Sequence, residues 1–204
     1  MNVKLFKSIS IEPNKNNIYR HLGYSKEKTE VHGVMRDQVD CYIDDSLSVI
    51  DLKGVAEVLT VKKADEERIE LEGDIIFKSK GLAQFLKGSN EVLLMATTAG
   101  TQIMEEIQKN SSSGDLVRSV IYDATAGEMV DDALTWIMNY YKGELVRKGK
   151  QLDPRRFSCG YGDFALEEQK IFWDILKMKD LGVQITDSYL LVPEKSVTAI
   201  TGIR

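Results

Sequence analysis

Residues 155–176 read RRFSCGYGDFALEEQKIFWDIL, and residues 182–202 read GVQITDSYLLVPEKSVTAITG. The first stretch opens as a loop. Gly160 and Gly162 let the backbone turn sharply or approach a ligand closely. Arg156 offers a planar fork matched to a carboxylate or phosphate. Tyr161, held between the two glycines, can lay a ring and a hydroxyl against a ligand. The loop therefore suits a small zwitterionic or anionic ligand. A plain turn with its arginines paired to acidic neighbours fits the same residues. From Ala165 to Gly182 the text is that of an amphipathic helix. Ile171, Phe172, Ile175 and Leu176 form its apolar stripe, Asp163 is its expected cap, Glu167 and Glu168 suit its positive end, and Gly182 suits its C′ position. VQITDSYLLV and PEKSVTAITGI then cluster β-branched residues and read as strands.

Upstream, helical spacing is expected from Asn16 to about Ile50, carried by Ile18, Leu22, Val31, Val34, Met35, Val39, Ile43 and Leu47. HLGYS (21–25) interrupts it, with Gly23 at a C′ position and Ser25 as the next N-cap. VAEVLTVKK and RIELEGDIIFKS change to β text, and EGD (72–74) predicts a hairpin turn. GLAQFLKG is a short helix ended by Gly88. EVLLMAT (91–97) is an apolar run of strand length, read as a buried strand. A helix follows, capped by Thr98 or Thr101. A long helical pattern then runs from about Asp115 to Arg147, with Gly127 and Gly143 as soft points. Strands and helices mix without a βαβ rhythm. The expected class is thus α+β, one domain over 1–204, with a twisted antiparallel or mixed sheet flanked by helices and a mostly helical 1–54 segment packed on it.

The composition narrows the function. The chain has 204 residues, 43% of them hydrophobic, and a net charge of −5. That is the wrong sign for a general nucleic-acid or anionic-membrane binder. No apolar run is long enough to span a bilayer. The first ten residues lack an apolar core and a cleavage site, so no secretion signal is expected. The two cysteines, Cys41 and Cys159, lie far apart, which suits a reduced cytoplasmic setting. H-E-x-x-H, C-x-x-C, the P-loop and G-x-S-x-G are all absent, as is D-x-H-x-x-G. Cys159 reads as a small hydrophobe in a turn. TTAG (97–100) reads as a capped turn, Asp131 and Asp132 as a solvated helix face, and Trp136, Tyr140 and Tyr141 as a core stripe.

The loop and the strands after it resemble the activation (reactivation) domain of cobalamin-dependent methionine synthase, in a stand-alone form. That family carries an Arg-x-x-x-Gly-Tyr loop, a helix, Gly-x-x-Leu-Thr-x-Ser and a Pro-x-x-Ser-Val strand. Here these fall on Arg156 to Tyr161, Gly182 to Ser188 and Pro193 to Val197. HLGYS, the hairpin and VLLMATTAGTQIMEEI extend the resemblance over most of the chain. The resemblance implies S-adenosylmethionine binding, with Arg156 on its carboxylate, Ser158 and Gly160 offering backbone groups, and Tyr161 beside the ligand where a corrin docks. It implies reductive methylation of cob(II)alamin, with an electron from a flavodoxin-type donor. Because D-x-H-x-x-G is missing, cobalamin is expected only on a partner polypeptide, a methionine synthase lacking its own activation domain. The chain would then be an accessory subunit of a methyltransferase in methionine biosynthesis rather than an enzyme alone. Four departures stand against this: Cys159 where the family has proline, Lys150 where it often has an acid, no Asp-Trp-Thr-Pro stretch, and a chain that stops soon after the SVTAITG strand. They leave open a non-catalytic corrinoid-protein-binding module that has lost S-adenosylmethionine.

Overall fold

The computed structural model describes residues 2–24 and 33–204. In chain order the elements are β1 (Lys4–Phe6), α1 (Lys15–His21), α2 (Val34–Leu47), β2 (Lys53–Ala64), β3 (Arg68–Leu71), β4 (Ile75–Lys78) and α3 (Lys80–Phe85). There follow β5 (Glu91–Thr98), α4 (Gln102–Ser113), α5 (Leu116–Val146), α6 (Gln169–Ile175), β6 (Gln184–Ile185), β7 (Leu191–Val192) and β8 (Ser196–Ile203). The class is the expected α+β, and every pairing in the sheet is antiparallel.

The main sheet runs β4-β3-β2-β5-β8, with β1 also on β2. β5 lies inside it, between β2 and β8, and both faces of β5 are covered. Val92, Leu94 and Ala96 point into a core with Leu82 of α3, Leu86 at its C-terminal end and Phe172 of α6. Leu93 and Met95 point into a second core with Ala126, Met129, Ala133 and Ile137 of α5. Burial on both faces is why β5 reads as an unbroken apolar run instead of an alternating one. A smaller cluster of Ile18, Val39, Ile43 and Ile121 fixes α1 and α2 to the start of α5.

The long helix follows its pattern closely. Asp115 caps it by accepting from the Arg118 amide at 3.1 Å. Gly127 and Gly143 do not break it, although each costs about 1 kcal/mol against alanine in a helix interior. At Gly54 of β2 an added side chain would meet Ile137 Cδ1 at 2.7 Å, so the Ile137 side chain of α5 packs directly on the sheet backbone there. The Glu72–Asp74 turn joins β3 to β4, with Gly73 and Asp74 at positive φ as the hairpin required. Gly23 occupies the left-handed position after α1.

Several expectations are corrected. The 1–54 segment also contains strand β1, which pairs with β2. Val31 and Ser25 lie outside the described residues, and the residue before α2 is Gly33. Val34 and Met35 are exposed, so the apolar stripe of α2 starts at Val39. Thr101 precedes α4 without a side-chain cap, while Thr98 accepts from the Gly100 amide at 3.2 Å. The 165–182 helix is three pieces: a 3-10 turn at Leu166–Glu168, α6, and a second 3-10 turn at Met178–Leu181. Lys177 adopts φ 50° between the last two. Leu176, Met178 and Leu181 are all buried, and no single helical face can bury that spacing. VQITDSYLLV contributes only β6 and β7, a two-stranded hairpin beyond α6.

Candidate functional site

The loop singled out by sequence is held by β8. After α5 the chain runs antiparallel along that strand. Asp153 donates its amide to Gly202 O at 2.9 Å, and Phe157 exchanges two bonds with Ile200 at 2.9 and 2.8 Å. Thr201 Oγ1 donates to the carbonyls of Asp153 (3.0 Å) and Arg155 (2.8 Å). This tether delivers Arg155 and Arg156 in opposite roles. Arg155 turns back onto Asp153 at 3.1 Å and over the Phe85 ring, and its hydrogen bonds hold the Asp153 carboxyl below the usual range. It is structural. Arg156 reaches α5, where it donates to Thr135 Oγ1 at 3.1 Å and pairs with Asp131.

Arg156, Asp131, Phe157, Ser158, Cys159 and Tyr161 line a cleft of about 470 Å³ together with Gln169 of α6 and Ser196, Val197 and Thr198 of β8. That volume lies within the range of small-molecule sites. Of the expected residues, Arg156, Ser158 and Tyr161 line it. Tyr161 is 68% exposed at the rim. Gly160 does not line the cleft. It supplies the turn, at φ 86°, and its amide is spent on Phe164 O at 2.7 Å. Cys159 is a packing residue, as read from the sequence. Burial pushes its thiol up to about 12, against a hydrogen bond with Thr198 that works the other way.

Asp163, expected to cap α6, caps α3 instead. Its carboxylate accepts from Ser79 Oγ (2.6 Å) and from the amides of Lys80 (2.7 Å) and Gly81 (3.1 Å). These bonds, that from Ser79 foremost, hold its carboxyl below the usual range. A short helix and the cleft loop thus share one side chain. Behind the turn, Phe164 packs edge-on to Phe77 at 5.4 Å.

Asp131 is exposed, as the solvated-face reading expected, but that reading missed that it is the ion-pair partner of Arg156. The four-residue steps Asp123, Gly127, Asp131 and Thr135 put these residues on one helix face, but they do not say what that face meets. Its neighbour Asp132 has its carboxyl raised by burial and by Glu128 and Asp131. Lys150 points away from the cleft and pairs with Glu91 at 2.5 Å. No group of three metal-ligating side chains occurs among the described residues. No helix among them is long and apolar enough to cross a membrane.

The chain is similar in structure to the crystal structure of the MetH reactivation domain bound to AdoHcy. The TM-score is 0.72 over 99% of this chain and 78% of that one, at 15% sequence identity. This is the reactivation-domain fold. The curled antiparallel sheet flanked by helices is therefore shared, even though few residues are. No family model matches the chain, and no curated protein matches it in sequence.

Proposed function

We propose that the cleft binds S-adenosylmethionine and presents its methyl group to a cobalamin carried by another polypeptide, a methionine synthase without this domain. The observation that carries this reading is the Arg156–Asp131 pair at the head of the cleft. An α-amino acid bears the same two charges. Its carboxylate can take the Arg156 fork and its ammonium the Asp131 carboxylate, so opening one ion pair creates two. Charge-assisted contacts of this kind are the stronger hydrogen bonds. Tyr161, at the rim, offers a ring to the nucleoside, and Ser158 offers polar atoms at the same wall. The bound cobalamin of the partner supplies the methyl acceptor, with an electron from a flavodoxin-type donor. This chain's own work is binding and orientation. The fold likeness to a reactivation domain supports that division of labour.

Calorimetry with S-adenosylmethionine tests the reading. Arg156→Ala is expected to weaken binding ten- to hundred-fold, or about 1.5–3 kcal/mol. Wild type should also restore turnover when mixed with a cob(II)alamin-loaded synthase lacking this domain, the ligand and a one-electron reductant. Absence of binding by wild type at millimolar ligand would sink the proposal, and the corrinoid-protein-binding module would replace it.

A further inference from the structure

Gln169 opens α6 and lines the cleft, and it is nine-tenths buried. Its amide is engaged at both ends. Thr198 Oγ1 donates to Oε1 at 3.1 Å from the floor of the cleft. Nε2 donates to the Tyr189 carbonyl at 2.9 Å. A carbonyl only accepts, so this bond fixes which end of the amide faces the hairpin. Tyr189 is one of only three non-glycine residues at positive φ among the described residues, at 63°. It closes the β6–β7 turn, where Tyr189 donates to Thr186 O and Thr186 to Leu190 O, both at 2.9 Å. Leu190 also donates to Thr186 Oγ1 at 3.0 Å. β6 and β7 share only two residue pairs. So short a ladder is not stable alone, and an uncommon backbone conformation persists only where its surroundings impose it.

We infer that Gln169 is a positioning residue. It bridges the cleft floor to the hairpin and so sets the position of the Tyr189 segment relative to the bound ligand. The inference rests on the cleft being the ligand site. A side chain that merely filled space there would need no donor aimed at a carbonyl. Leucine or methionine would do, and α6 carries apolar residues at its other buried positions.

The test separates the bridge from the ligand. Gln169→Glu keeps the acceptor for Thr198 and loses the donor for Tyr189. Thr198→Val removes the other end. Amide hydrogen exchange on the full chain without ligand should quicken at Thr186, Tyr189 and Leu190 in Gln169→Glu, by roughly ten-fold, the worth of a buried carbonyl left without its donor. Exchange in β5 should stay as in wild type. S-adenosylhomocysteine affinity should fall by a similar factor. The double variant should lose no more than the worse single one, because both substitutions break one bridge. Unchanged exchange at the hairpin overturns the bridge, whatever the ligand does. Quickened exchange with unchanged affinity overturns the positioning role. Failure of wild type to bind the ligand refutes the proposed function, while the exchange arm still reads the bridge.

Discussion

Cys159 sits on the cleft wall with its side chain turned into the protein, whereas Cys41 is exposed. The thiolate is the reactive form of cysteine. With the Cys159 thiol pushed up to about 12 by burial, almost none of it is ionised at pH 8. Native protein treated with iodoacetamide at pH 8 should therefore carry one label by intact-mass measurement, on Cys41, and a second only after denaturation. Rapid double labelling of the native chain would show that Cys159 is open. At this scale the sequence was informative wherever chemistry is local. Two glycines around Tyr161 did mean a turn, and the arginines did find acidic partners. Asp131 was not legible, because its partner comes from a segment 25 residues away, and only the packing of that segment on β8 brings them together. Gly160 was assigned a ligand contact that its own turn consumes.

Among the elements, α3 is the one whose shape the site depends on. It is a short helix whose first amides are met from outside by Asp163 and from within by Ser79, which accepts from Leu82 N at 3.0 Å. A side chain at Gly81 would lie 2.8 Å from Asp163 Oδ1. Gly81→Ala should thus cost about 1–3 kcal/mol through overpacking. In the Asp163→Ala background the clash is gone, and alanine's better helix propensity remains. The same substitution should then raise the thermal midpoint. A Gly81→Ala cost that is equal in both backgrounds would mean that Asp163 does not bear on α3. Elements defined by a repeating apolar period were readable: β5, the hairpin and α5 all stand where their patterns placed them. The 165–182 helix was not, because its burial demands change direction at Lys177 while its composition remains helical.

For the whole molecule, the mixture of periods sufficed for the class but not for the order β4-β3-β2-β5-β8. Which strands pair is settled by contacts distant in sequence, and no local pattern encodes them. One such contact has a bearing on solubility. The outer side of β8 is occupied by the 151–157 segment, through isolated bridges at Leu152 and Phe157. An uncovered strand edge is a template for another chain. The segment that carries Arg156 is therefore also the guard that keeps β8 from templating aggregation. Thr201→Val keeps the side-chain shape but removes the hydroxyl that clasps Asp153 and Arg155. On warming, this variant should scatter light at a lower temperature than wild type, before global unfolding by circular dichroism. Coincident onsets would refute the link. On the proposed reading of the cleft, S-adenosylmethionine gripped by Arg156 would then pin the guard in place, and a bound small molecule would protect the protein from its own copies.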